Sequence, residues 1–93
     1  MHYLYIIYSS SLDKFYTGET TDIQERLHKH NQHTYQKAFT KAADDWEVKL
    51  QKRCQNKDDA LYLEQFIKRM KSKKFILKII QKPEILDDIL SKK

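Results

Sequence analysis

The stretch FYTGETTDIQERLHKHN, Phe15 to Asn31, holds the only glycine in a chain of 93 residues. Average usage of roughly 7% would give about six, so the one retained here either relieves a turn or keeps a backbone bare for close approach. The residues before Gly18 have strand character, and those after it change period. Thr21-Asp22-Ile23-Gln24 fits a capping box, and Ile23 and Leu27 follow at i, i+4. The spacing predicts a helix from about Asp22 to His30 or Asn31. Gly18 then falls at a strand-to-helix turn, where a backbone without Cβ lets a ligand approach closely.

Working outward, His2 to Tyr8 reads HYLYIIY, aromatic and β-branched, and ends in serines and an aspartate that signal a turn. With Lys14 to Thr17 it predicts an antiparallel hairpin. Residues 32 to 44 are polar with scattered apolar anchors and predict a loop, with one helical turn around Phe39. Trp46, Val48 and Leu50 alternate with Glu47, Lys49 and Gln51, the pattern of a half-buried third strand ending near Cys54. Asn56-Lys57-Asp58 supplies a turn and cap, after which Ala60, Leu63, Phe66, Ile67 and Met70 recur at helical spacing to about Lys71. A further helix spans Lys74 to Ile80, before the only proline, Pro83. The order implies a small α/β (α+β) layer containing an antiparallel hairpin. Residues 1–82 read as one domain and 83–93 as a short amphipathic tail.

Charge is unevenly distributed. The chain has 18 Lys+Arg against 13 Asp+Glu, a net of +5, and residues 57 to 82 alone hold eight against three. One segment therefore carries the basic character, which suits a polyanionic partner. A single cysteine, Cys54, excludes an internal disulfide and a four-cysteine zinc site. The apolar run near the N-terminus is too short for a membrane span and lacks a preceding basic region. A cytoplasmic, soluble protein without a membrane partner, monomeric by preference, is expected.

Three groups of residues invite chemistry. Arg26 and His30 share a helix face, and a guanidinium beside helix N-terminal N–H groups makes a phosphate cradle; the alternative is a solvated helix arginine. Tyr3 and Tyr5 share a strand face, and Tyr16 on the paired strand can project beside Tyr5, as active phenols or as core with a wet tip. Glu64 is a lone carboxylate at the start of a basic segment. It can hold a divalent metal through oxygen, or form an i, i+4 ion pair with Lys68. His28, His30 and His33 do not make a metal site, because i, i+2 positions on a helix diverge.

Together these residues resemble a known family. YLY at 3–5, YTG at 16–18, the helix with Arg26 and His30, FTK at 39–41, Trp46-Glu47 and LEQFIKRMKSKKF at 63–75 are similar, in order and spacing, to the GIY-YIG nuclease superfamily. The likeness is to its small single-domain branch, related to the N-terminal nuclease module of the repair protein UvrC, and covers roughly residues 2 to 80. It implies a three-stranded antiparallel sheet flanked by helices. Tyr5 and Tyr16 match the two motif tyrosines, Gly18 the motif glycine, Arg26 the helix arginine, His30 a His or Tyr position, and Glu64 the metal-binding glutamate. Tyr3 and Thr17 depart from the motif letters, Glu19 stands where some members carry lysine, and Ile76 where some carry a polar residue.

The resemblance implies a DNA endonuclease of repair, recombination or processing, acting on branched or single-stranded DNA, with one Mg²⁺ or Mn²⁺ on Glu64. In this arrangement Arg26 holds a phosphate oxygen, Tyr5 or Tyr16 helps deprotonate water, and His30 or the second tyrosine disperses the proton. Gly18, Lys68, Arg69, Lys71, Lys73 and Lys74 would contact the nucleic acid. The alternative is a non-catalytic nucleic-acid-binding module with the nuclease fold, and a weaker one is a peripheral membrane protein.

Overall fold

The computed structural model describes residues 1–31 and 44–93. The loop expected over 32–44, with its turn at Phe39 and the FTK segment, lies almost entirely outside them. Strands β1 (His2–Ser9), β2 (Lys14–Thr20) and β3 (Trp46–Cys54) form an antiparallel sheet in the order β2-β1-β3. Helix α1 (Ile23–Asn31) joins β2 to β3 across the segment 32–43, and α2 (Lys57–Met70), α3 (Lys73–Gln81) and α4 (Glu84–Ser91) follow in sequence. The α+β class expected from the sequence is the one observed.

The sheet is covered on both faces. Leu4, Ile6, Leu50 and Cys54 pack with Ala60, Leu63 and Ile67 of α2, Ile79 of α3 and Leu86 of α4. On the opposite face Tyr5, Ile7 and Trp46 pack with Ile23 of α1. Burial on both sides explains why β1 is an almost unbroken apolar run rather than an alternating one.

Several boundaries differ from those expected. β2 continues to Thr20, three residues past Thr17, so Gly18 lies inside a strand and not at a turn. The cap of α1 is Asp22, whose Oδ1 accepts from the Glu25 amide at 3.1 Å, and not the box on Thr21. This carboxylate supplies the negative charge favoured at a helix N-terminus. In β3 a bulge shifts the register between Ile6 and Ile7, which face Leu50 and Val48 respectively. The extra residue sends Trp46 and Val48 to the α1 face and Leu50 to the other. Met70, expected in the apolar stripe of α2, is 47% exposed at the helix end. The tail is helix α4, whose Leu86 is fully buried in the same core as α2. No described helix is long and apolar enough to cross a membrane.

A serine-rich turn is tied to the start of β3 by Asp45. Its carboxylate accepts from Ser9 Oγ at 2.6 Å, Ser10 Oγ at 3.1 Å and the Ser11 amide at 2.9 Å. These bonds, the one from Ser9 foremost, lower the Asp45 pKa to about 2. A depressed acid contributes stability that is present above its ordinary pKa of 3.8 and lost as pH falls towards 2. Asp45→Asn is expected to lower the urea midpoint at pH 7 and to flatten the fall in stability between pH 4 and pH 2, both read by circular dichroism.

Candidate active site

In the β1–β2 register Tyr5 lies opposite Gly18. A Cβ built on Gly18 would stand 2.5 Å from the Tyr5 hydroxyl oxygen, 2.6 Å from Cζ and 2.9 Å from Cε1. The phenol therefore lies across the glycine backbone, in space that any other residue would fill. Gly18 does not adopt positive φ, so the position needs glycine for close approach alone. The expectation that it opens towards a nucleic acid is corrected accordingly: Tyr5 occupies that space.

Seated there, the Tyr5 hydroxyl and His30 Nε2 form a hydrogen bond of 3.0 Å between two side chains that are each 2% exposed. Tyr16 stands two residues before Gly18 and on the same face. Its ring centre is 6.4 Å from that of Tyr5 and 4.9 Å from that of His30. Arg26 is one helical turn before His30, and its charge is felt there. Burial first, and the Arg26 guanidinium second, push the His30 pKa from 6.5 down to about 4. The imidazole is thus neutral at pH 7.

Glu64 approaches from the other side. It lies on α2, the helix covering the opposite face of the sheet, and its Oε2 is 2.8 Å from Lys68 Nζ. That ammonium is also 5.4 Å from the centre of the Tyr16 ring. Because β2 is an edge strand, Lys68 reaches around it and spans the gap between carboxylate and phenol. The i, i+4 ion pair allowed by the spacing is realised, and the same lysine joins Glu64 to the tyrosine group. Sequence spacing showed the first contact and had no signal for the second, which depends on how α2 lies over the hairpin.

Among the described residues no group of three or more His, Cys, Asp or Glu side chains is arranged to hold a metal. A cation would rest on Glu64 alone. That donor set fits Mg²⁺ or Mn²⁺, which keep several waters and take one or two carboxylates plus substrate phosphate oxygens, and does not fit zinc. Ile76 packs against the core and offers no polar support to Glu64. Glu19 is paired with His2 at 2.8 Å. His28 is exposed while His30 is buried, and His33 lies outside the described residues.

The basic residues separate into two sets. Lys68, Arg69, Lys71 and Lys73 line adjoining grooves at the junction of α2 and α3, whereas Lys74 lines none of these. Lys73 also pairs with Asp13 in the hairpin loop at 3.0 Å.

Two phenols and an imidazole thus meet on the α1 face, and Lys68 links the Tyr16 ring to the Glu64 carboxylate on α2. Residues 1–76 match the family model described as the GIY-YIG catalytic domain, and the chain belongs to that family, whose members are generally endonucleases. No curated protein and no solved structure matches the chain.

Two outcomes follow from the packing. Gly18→Ala is expected to cost about 1–3 kcal/mol in urea unfolding, the usual range for overpacking, and much less in a Tyr5→Leu background, where the ring is gone. His30, with its folded pKa depressed, contributes stability that is full above pH 6.5 and lost as pH falls towards 4. At 1.36 kcal/mol per pKa unit the loss is about 3 kcal/mol. Comparing wild type with His30→Asn at pH 7 and pH 4.5 isolates it.

Proposed function

We propose that the protein is a metal-dependent endonuclease that hydrolyses phosphodiester bonds in DNA, in repair, recombination or processing. The observation that carries this reading is the joining of the Tyr5–His30–Tyr16 group to Glu64 through Lys68. Family membership supports the nuclease class, and the chemistry of the residues supports the finer reading.

Hydrolysis needs a base for the attacking water and positive charge against the transition state. Tyrosine is a poor base at pH 7, its ordinary pKa being near 10. With its ring proton on Nε2, neutral His30 donates to the Tyr5 oxygen and disperses the charge of a phenolate, the minor form that takes the proton of the attacking water. Arg26 steadies a non-bridging phosphate oxygen. Glu64 would hold Mg²⁺ or Mn²⁺, which would supply positive charge against the leaving oxygen. Lys68 must leave the Glu64 carboxylate for that to happen, which turns its ammonium towards the substrate. Gly18 acts through Tyr5, and Lys68, Arg69, Lys71 and Lys73 are left to hold flanking phosphates.

The test is a panel of branched, single-stranded and duplex DNA incubated with Mg²⁺ or Mn²⁺. Wild type is expected to cleave, and Glu64→Ala and Arg26→Ala to lose about 10²-fold or more, the loss seen when charge stabilisation is removed. Binding should weaken by roughly 0.9 log units per log unit of salt for each phosphate neutralised on duplex DNA. Salt-sensitive binding with no cleavage under any metal would leave a nucleic-acid-binding module. Cleavage surviving in Glu64→Ala would contradict the assignment of the site.

A further inference from the structure

Beyond the candidate centre, three shallow grooves run in series from Lys68 across the α2–α3 junction to the outer side of the hairpin. The first, about 320 Å³, is lined by Gln65, Lys68, Arg69 and Lys71. The second, about 270 Å³, shares Lys68 and Lys71 with it and adds Asp13, Lys14, Phe15 and Lys73. The third, about 330 Å³, shares Phe15 and Lys73 with the second and ends between Tyr8, Lys49, Leu77 and Ile80. Shared walls make the three one track, which begins at the lysine bound to Glu64.

Two features of this track differ in kind. Its rim is mainly cationic, supplied by lysines from the hairpin, β3, α2 and α3, with Asp13, paired to Lys73 at 3.0 Å, the one acid among the described residues lining it. Its outer floor is apolar and aromatic: the Tyr8 and Phe15 rings stand 4.7 Å apart between centres, and Leu77 beside them is 45% exposed. Lys49 Nζ lies 5.9 Å from the centre of the Tyr8 ring and Lys73 Nζ 6.0 Å from that of Phe15. A duplex presents phosphates to such a rim but keeps its bases stacked inside, leaving the apolar floor without a counterpart. An unpaired strand offers both, phosphates for lysines and base faces for aromatic rings.

We propose that this track holds an unpaired stretch of the nucleic acid, with bases on Phe15, Tyr8 and Leu77, while the scissile phosphate lies at the Tyr5–His30–Tyr16 centre. The inference rests on the endonuclease reading and names its substrate: DNA in which a single-stranded segment adjoins the cleaved position. Phe15 and Leu77 are then binding residues for bases, outside the centre that performs the chemistry.

The experiment measures binding of the full chain by fluorescence anisotropy, in EDTA so that no cleavage occurs. Three DNAs are compared: a blunt duplex, the same duplex with an oligo-dT overhang, and one whose overhang carries abasic sugars. Wild type should bind the dT overhang about tenfold or more tighter than the abasic one, since base stacking on aromatic residues is worth that much or more. Phe15→Leu, and separately the exposed Leu77→Gln, should remove most of that difference and leave blunt-duplex binding within about twofold. Equal binding of the dT and abasic overhangs by wild type would overturn the proposal, even with all three DNAs bound and cleaved when metal is added. So would variants that weaken blunt duplex and overhang alike, or displacement of DNA by an acidic peptide at comparable concentration, which would identify a protein partner for the track. If no DNA binds in a salt-sensitive way, the endonuclease reading fails first and this inference with it.

Discussion

The structure turns on a phenol lying flat across a backbone. Tyr5 can reach His30 only because the residue opposite it on the neighbouring strand has no side chain. Glycine inside a strand weakens it by lost packing and added chain entropy. Here the packing lost at Gly18 is restored by the Tyr5 ring, which fills the vacated space and becomes part of the core on the α1 face. The same contact brings a hydroxyl into a dry environment against a neutral imidazole. Folding and chemistry thus share one steric constraint, and relaxing it would affect both.

Around that contact the fold divides its labour. The α1 face gathers two tyrosines and a histidine whose charge is suppressed by burial and by Arg26. The α2 face carries Glu64 and a succession of cations. The edge strand β2 lies between the two, so a side chain reaching around it can connect them. Lys68 does this, pairing with Glu64 and standing over Tyr16. An exposed ion pair of this kind contributes little stability, so the lysine can exchange Glu64 for another anion at small cost. The helices that complete the other core, α3 and α4, bury Ile79 and Leu86 against the sheet and leave Leu77 and the lysines of the α2–α3 junction facing outward.

What the sequence shows and what it hides divide along a physical line. Features set by local spacing are legible: the apolar run of β1, the hairpin, the α2 stripe from Ala60 to Ile67, the Asn56 cap, and the sharing of one helix face by Arg26 and His30. Features set by pairing between distant segments are not. The alternation of Trp46, Val48 and Leu50 looks like one buried face, and only the register against β1 reveals the bulge that splits it. Gly18 reads as a turn because glycine most often relieves backbone strain; its close approach to Tyr5 follows from the length of the hairpin loop, which sets which residues are opposed. The Asp45 clamp joins residues more than thirty positions apart. Helix α4 reads as a tail because its few apolar residues acquire meaning only against the α2 core. The Glu64–Lys68 pair follows from i, i+4 spacing alone, while the approach of Lys68 to the Tyr16 ring depends on how α2 lies over the hairpin.

The claim at the centre is that Tyr5, seated on Gly18, holds a buried and neutral His30 by its Nε2. The most direct measurement is a ¹⁵N-histidine NMR titration of the full chain, following the ring nitrogens of His30. The account predicts that His30 stays neutral down to about pH 4, and that its Nε2 signal shifts in Tyr5→Phe and in Gly18→Ala. A His30 that titrates near its ordinary 6.5, with Nε2 indifferent to both substitutions, would contradict it.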